Sequence, residues 1–215
     1  MSKKIVLDQV EGAMIVYPKI NNPYKRSEDN KSTLFGEYTK HDYKQLENLE
    51  WVCTEKIDGA NIRVGWDGEK VSFAGRSNNA QIPVRLYEEL LELFPVEKFR
   101  DEEPMVLFGE GFGAGIQKGG KYLANDKVSF ILFDVYYKDS WLPLVNVEGV
   151  AKRLGIKVVP RMFDGTLGEC IKFAKAGVKS TFGDFEAEGV VAKPEPCLYN
   201  TYGERVIVKL KTEYL

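Results

Sequence analysis

Lys56-Ile57-Asp58-Gly59 places a lysine two residues before an Asp-Gly turn signal, at the end of the apolar run "WVCTEKI". A neutral lysine amine is a nucleophile, but the free side chain is protonated below about pH 10. To react it has to be desolvated or placed beside other positive charge. Downstream the chain supplies a set of matching groups: Arg76 in "AGRSN", Glu110 in "LFGEG", Phe133-Asp134 in "ILFDVY", Glu188 in "EGVVAKP", and Lys209 and Lys211 in "VIVKLK". Most of them sit on or at the end of an apolar strand, where charged side chains converge on a cleft. Lys209 and Lys211 flank Leu210 and so share one face of their strand. That face suits charge developing on a phosphate, or is a plain solvated face. Arg76 carries a fork suited to phosphate. Glu188 is a hard oxygen donor suited to Mg²⁺. Phe133 offers a stacking face to a base, or is core like its apolar neighbours.

Other chemistries fit poorly. The single histidine, His41, lies in the polar stretch "YTKHDYKQ" without the partners of a catalytic dyad. Gly115, Gly120 and Lys121 match the first part of a phosphate loop, but Tyr122 stands where Ser or Thr is needed, and a strand rather than a helix follows. The dinucleotide fingerprint is missed at every register, so "GEGFGAGIQKGGKY" reads as a flexible loop. Three scattered cysteines, Cys53, Cys170 and Cys197, give neither a disulfide framework nor a zinc cluster and fit a reducing compartment.

The ordered set from Lys56 to Lys211 resembles the nucleotidyl motifs of the covalent nucleotidyltransferase superfamily, the ATP-dependent RNA and DNA ligases and mRNA capping enzymes. Asn61, five residues after Lys56, and Lys193, five after Glu188, are similar to the group that includes the trypanosome RNA-editing ligases and a phage nick-sealing RNA ligase. Asp58 and Ala60 depart from that group toward the wider superfamily, which keeps DNA ends open as substrate. The resemblance implies an ATP-dependent RNA ligase with an ATP-grasp-like nucleotidyltransferase domain. It would join 5′-phosphate and 3′-hydroxyl ends, or nicks, through a lysyl-AMP on Lys56. The alternatives are a DNA ligase, a 5′-adenylating relative, or a non-catalytic nucleotide-binding one. It further implies ATP and Mg²⁺ or Mn²⁺, with Lys209 and Lys211 at the triphosphate and Glu188 at the metal. The nucleotide would be held by Glu55 at the adenine edge, Glu110 at the ribose hydroxyls or metal, Phe133 stacked on adenine, and Asn61, Arg76, Lys193 and Asp134, the last orienting its neighbours rather than reacting.

Behind these residues the sequence predicts an α+β chain of mainly antiparallel sheets with flanking helices. "AMIVYPKI", "WVCTEKI", "NIRVGW", "KVSFAG", "MVLFGE", "VSFILFDVYY", "EGVVAK" and "RVIVKLK" read as strands, and residues 21–33 as a loop. Asp58-Gly59 and Asp67-Gly68 then read as hairpin turns, the first aiming Lys56. "VRLYEELLELF" puts Leu86, Leu90, Leu91 and Phe94 on one helical face, while "NVEGVAKRLG" and "TLGECIKFAKAG" are helices stopped by glycine. With 215 residues, 44% hydrophobic and 29% charged, and no repeat or linker, one domain over 1–215 is expected. Neither a secretory leader nor a bilayer-length apolar run is legible, so a cytoplasmic protein with no membrane partner is expected. The net charge of −2 argues against a general nucleic-acid coat but not against a local basic groove. The sequence stops four residues past Lys211, so no appended domain is expected. Strand binding then falls to this chain alone or to a separate one.

Overall fold

A computed structural model describes residues 14–29 and 32–215. The fold is α+β with antiparallel sheets and flanking helices. In chain order the elements are β1 (Tyr24–Arg26), β2 (Thr33–Tyr38), α1 (His41–Gln45), β3 (Trp51–Glu55), β4 (Ala60–Trp66), β5 (Val71–Ala74), α2 (Val84–Leu93), β6 (Met105–Gly113), β7 (Val128–Tyr137), β8 (Ser140–Trp141), α3 (Leu144–Leu154), β9 (Arg161–Gly165), α4 (Leu167–Lys175), β10 (Gly189–Pro194) and β11 (Val208–Lys211). Among the described residues these strands make a two-stranded hairpin, a four-stranded sheet in the order β11-β10-β3-β9, and a five-stranded sheet in the order β5-β4-β6-β7-β8.

Period-2 alternation splits each large sheet into a core face and a second face. Ile62, Val64 and Trp66 of β4 pack with Leu107 and Leu132 beneath Leu86 and Leu90 of α2 and Val147, Val150 and Leu154 of α3. Cys53, Val190, Ala192, Val208 and Leu210 pack beneath Leu167, Cys170 and Ile171 of α4. The residues between them in sequence, Thr54, Val191, Lys193, Lys209 and Lys211, take the opposite face. Thr166 caps α4 through a reciprocal pair with Glu169, and Gly155 ends α3 in the left-handed conformation.

Several expectations are corrected. Asp58-Gly59 is not a hairpin turn: β3 and β4 belong to different sheets, and Lys56–Gly59 crosses between them. Asp67-Gly68 is one, joining β4 to β5, with Gly68 at φ +102° and the Asp67 carboxylate accepting from the Glu69 and Lys70 amides. The expected strand over "AMIVYPKI" forms no ladder across residues 14–20, and Ala13 lies outside the described residues. That segment is pinned instead by Arg63, whose guanidinium donates to the Met14 and Ile15 carbonyls. Within the expected loop 21–33, Tyr24–Arg26 pairs with β2. β6 continues through the glycines to Gly113, because Gly109 lies against Phe130 and Gly111 against Leu86 with no space for side chains. Leu91 is 53% exposed, since it lies 500° of helical rotation, or 140° around the axis, from Leu86. No helix among the described residues is long and apolar enough to cross a membrane.

Candidate active site

The two second faces enclose a cleft of about 600 Å³. The five-stranded sheet contributes Asn61 from β4, Glu110 from β6 and Phe133 from β7, with Arg76 just beyond β5. The four-stranded sheet contributes Glu55, Val191, Lys193, Lys209 and Lys211, with Lys56 and Glu188 at strand ends. Phe133 owes its direction to a bulge. The β6–β7 register pairs Phe108 with Asp134 but Gly109 with Leu132, so Phe133 is the extra residue. It lines the cleft while packing edge-on to Tyr17, ring centroids 5.1 Å apart.

Charge is concentrated around Glu188. Its Oε2 lies 2.5 Å from Lys56 Nζ and its Oε1 2.7 Å from Lys211 Nζ, which also approaches Glu213 at 3.2 Å. Burial disfavours charge on Lys211, but the bond to Glu188 outweighs it and holds the ammonium above its ordinary pKa. For Lys209 the same carboxylate compensates only weakly. Burial, then the charges of Lys211, Lys56 and Arg76, lower its pKa. Glu110 is pushed up to about 8, first by burial, with Glu188 and Asp58 adding to it against the pull of Lys56. It is therefore a carboxyl that takes up a proton unless a cation arrives.

Asp134 stands apart from the cleft-lining residues. It lies fully buried behind the cleft and does not line it. Its carboxylate accepts from Tyr17 Oη at 2.5 Å, Lys193 Nζ at 2.7 Å and Arg205 NH2 at 2.9 Å. Burial would raise its pKa, yet Arg205 and Lys193 overcome this and leave it lowered. Lys193 also donates to the Phe133 carbonyl at 3.0 Å, and burial brings its pKa down to about 8. Glu55 lines the cleft, but its oxygens already accept from Ser180 Oγ (2.6 Å), Thr181 N (3.0 Å) and Thr181 Oγ1 (2.7 Å). Asn61 Oδ1 is buried and has no hydrogen-bond partner among the described residues. Tyr17, Ser180, Thr181 and Arg205 are functional neighbours that no spacing pattern exposes; Arg205, a charge opening the apolar run "RVIVKL", was the one visible hint.

The donor set suits a divalent cation held jointly with phosphate. Glu188 and Glu110 face the same cleft, and magnesium at phosphate sites takes one or two carboxylates plus phosphate oxygens. Among the described residues no group of three His, Cys, Asp or Glu forms a metal site by itself.

The family model for RNA ligase matches residues 49–211. The chain belongs to the RNA ligase family. No curated protein matches it by sequence. Among solved structures it is similar to the Naegleria gruberi RNA ligase. An apo variant matches at TM-score 0.66 and 17% identity over 92% of this chain and 57% of that one. A variant with ATP and Mn gives 0.66 and 16% over 92% and 60%. The ligase with PPi gives 0.64 and 18% over 91% and 61%. At such identities the likeness is one of fold. The chain spans about three fifths of the length of those ligases.

Proposed function

We propose that this chain is the nucleotidyl-transfer unit, over 1–215, of an ATP-dependent RNA ligase. What carries the reading is one juxtaposition inside a cleft of nucleotide size: Lys56 and Lys211 on the two oxygens of Glu188, with Lys209 sharing Lys211's strand face. Lys56 Nζ attacks the α-phosphorus of ATP. The N–P bond forms as the bond to the pyrophosphate oxygen breaks, giving lysyl-AMP and pyrophosphate. Lys209 and Lys211, cations at fixed positions, stabilise the charge that develops on the phosphates. Phe133 stacks on the base, and Asn61 Oδ1 has unmet hydrogen-bonding capacity to offer the nucleoside. Arg76, exposed at the rim, meets the phosphates of the nucleotide or of the strand end. Asp134 acts from behind, fixing Lys193 and through it the Phe133 backbone. Glu188 and Glu110 would hold a Mg²⁺ or Mn²⁺ ion, which supplies charge neutralisation at the phosphates. In the later steps AMP passes to a 5′-phosphate, and a 3′-hydroxyl attacks that phosphate and expels AMP.

Labelled ATP with Mg²⁺ should leave covalent AMP on Lys56, located by mass spectrometry. A panel of nicked RNA, nicked DNA and single-stranded ends then separates RNA sealing from DNA sealing. An adenylate on another lysine, or none, refutes the reading.

A further inference from the structure

The glycine-rich stretch that fails as a phosphate loop ends in a 3₁₀ turn, Gly119–Tyr122, lying directly on the nucleophile loop. Tyr122 Oη accepts a hydrogen bond from the Asp58 amide at 3.2 Å. A Cβ on Gly119 would sit 2.9 Å from the Asp58 carbonyl oxygen, so the turn meets that loop backbone to backbone. Tyr122 is 4% exposed and is gripped by three rings, Phe112, Phe182 and Phe185, at 5.8, 5.5 and 5.2 Å.

Phe182 and Phe185 belong to the loop that holds the other side of Lys56. There Ser180 and Thr181 give Glu55 its three hydrogen bonds. The two loops are also tied to each other, because Lys121 Nζ donates to the Glu186 carbonyl at 3.0 Å and lies 4.5 Å over the Phe185 ring. The residue before Lys56 and the residue two after it are thus each fixed from outside, by loops that brace one another. Lys56 itself adds its amide bond to the Gly189 carbonyl and its ion pair with Glu188.

We infer that Tyr122 and Thr181 are positioning residues of the adenylation step, and that residues 119–122 and 180–186 form one bracket that holds the Lys56 backbone on its line of attack. Neither side chain lines the cleft. The hydroxyls are what argue for more than packing. Phenylalanine would fill the space of Tyr122 among three rings, yet the phenol spends its oxygen on a loop amide next to the nucleophile. Burial raises that phenol to about 12, so it stays neutral at working pH. Thr181 is exposed and contributes nothing to the core, yet its hydroxyl is committed to a carboxylate that is 1% exposed.

This inference rests on the adenylation reading, and the test separates the two. Tyr122→Phe keeps the ring and removes the acceptor. Thr181→Val removes the side-chain donor on the protein surface, and Thr181→Ser keeps it. Single-turnover adenylation at saturating ATP should fall about tenfold in Tyr122→Phe and Thr181→Val, with ATP affinity changed less than about twofold, and Thr181→Ser should recover the rate. Wild-type rates in both, or losses confined to ATP affinity, overturn the bracket. If the wild-type chain takes up no AMP, the adenylation reading fails, and hydrogen exchange at the Asp58 amide judges the bracket instead. Exchange about tenfold faster in Tyr122→Phe at unchanged global stability supports it, and unchanged exchange overturns it.

Discussion

Lys56 and Lys211 meet at one carboxylate, which sets what each substitution at that point should do. Lys56→Arg keeps the positive charge and the pairing with Glu188, but guanidinium does not give up its proton, so covalent AMP should vanish while the thermal midpoint stays close to wild type. An arginine variant that still takes up AMP would move the nucleophile elsewhere. Glu110 predicts a pH effect. An acid whose pKa rises on folding, here from 4.5 to about 8, contributes stability that is complete below the unfolded value and is lost as pH climbs through the folded one. Glu110→Gln is neutral throughout and escapes that loss. In metal-free buffer the wild-type thermal midpoint should therefore fall relative to the variant's between about pH 5 and pH 9, and a constant gap would show an ordinary carboxyl. At this scale the sequence was informative, because Lys56, Glu110, Glu188, Lys209 and Lys211 are charges stranded in apolar runs. The groups that hold Asp134 and Glu55 were not legible. Their partners, Arg205, Ser180 and Thr181, lie 71, 125 and 126 residues away, and no local pattern encodes such a pairing.

The three longer helices and most of the long strands followed from periodicity, α1 and β9 did not, and connections misled. Asp-Gly is equally at home in a hairpin and in a crossing between sheets, and only the pairing partners of β3, which are β9 and β10, distinguish them. The segment 14–20 has the apolar residues of a strand but no ladder with a neighbour among the described residues. Its middle is held by Tyr17, through Asp134 and the neighbouring rings, and its start by one side chain, Arg63. Arg63 is fully buried and donates to the Gly75 carbonyl at 2.7 Å, to Met14 and Ile15, and to Asn78 Oδ1 at 3.0 Å. It thereby fastens both the segment carrying Tyr17 and the loop carrying Arg76. Arg63→Met should leave several buried acceptors unpaired and cost roughly 3 kcal/mol in urea unfolding. A loss below about 1 kcal/mol would mean that these carbonyls find water instead.

The whole chain carries a net charge of −2, so under the proposed function a grip on a polyanion has to come from local clusters such as the cleft lysines and Arg76. Self-adenylation needs only the pocket, while sealing also needs the strand to be held. Raising salt from 50 to 200 mM, a range over which several phosphate contacts weaken by orders of magnitude, should therefore leave adenylation nearly constant. Over the same range, sealing of 5′-phosphate ends should be suppressed more than sealing of pre-adenylated ends. Equal salt sensitivity of all three rates would place the strand grip inside the pocket. The order of strands in the two large sheets was the least legible feature of the molecule, since β3 pairs with a strand more than a hundred residues downstream. That same long-range order has a mechanical consequence. The chain leaves one sheet at Glu55 and enters the other at Ala60, so Lys56 rides on a four-residue tie between two stiff plates. With Lys56 as the proposed nucleophile, a shear of one plate against the other, too slight to disturb either core, would reach its nitrogen and appear as a change in rate with no loss of fold.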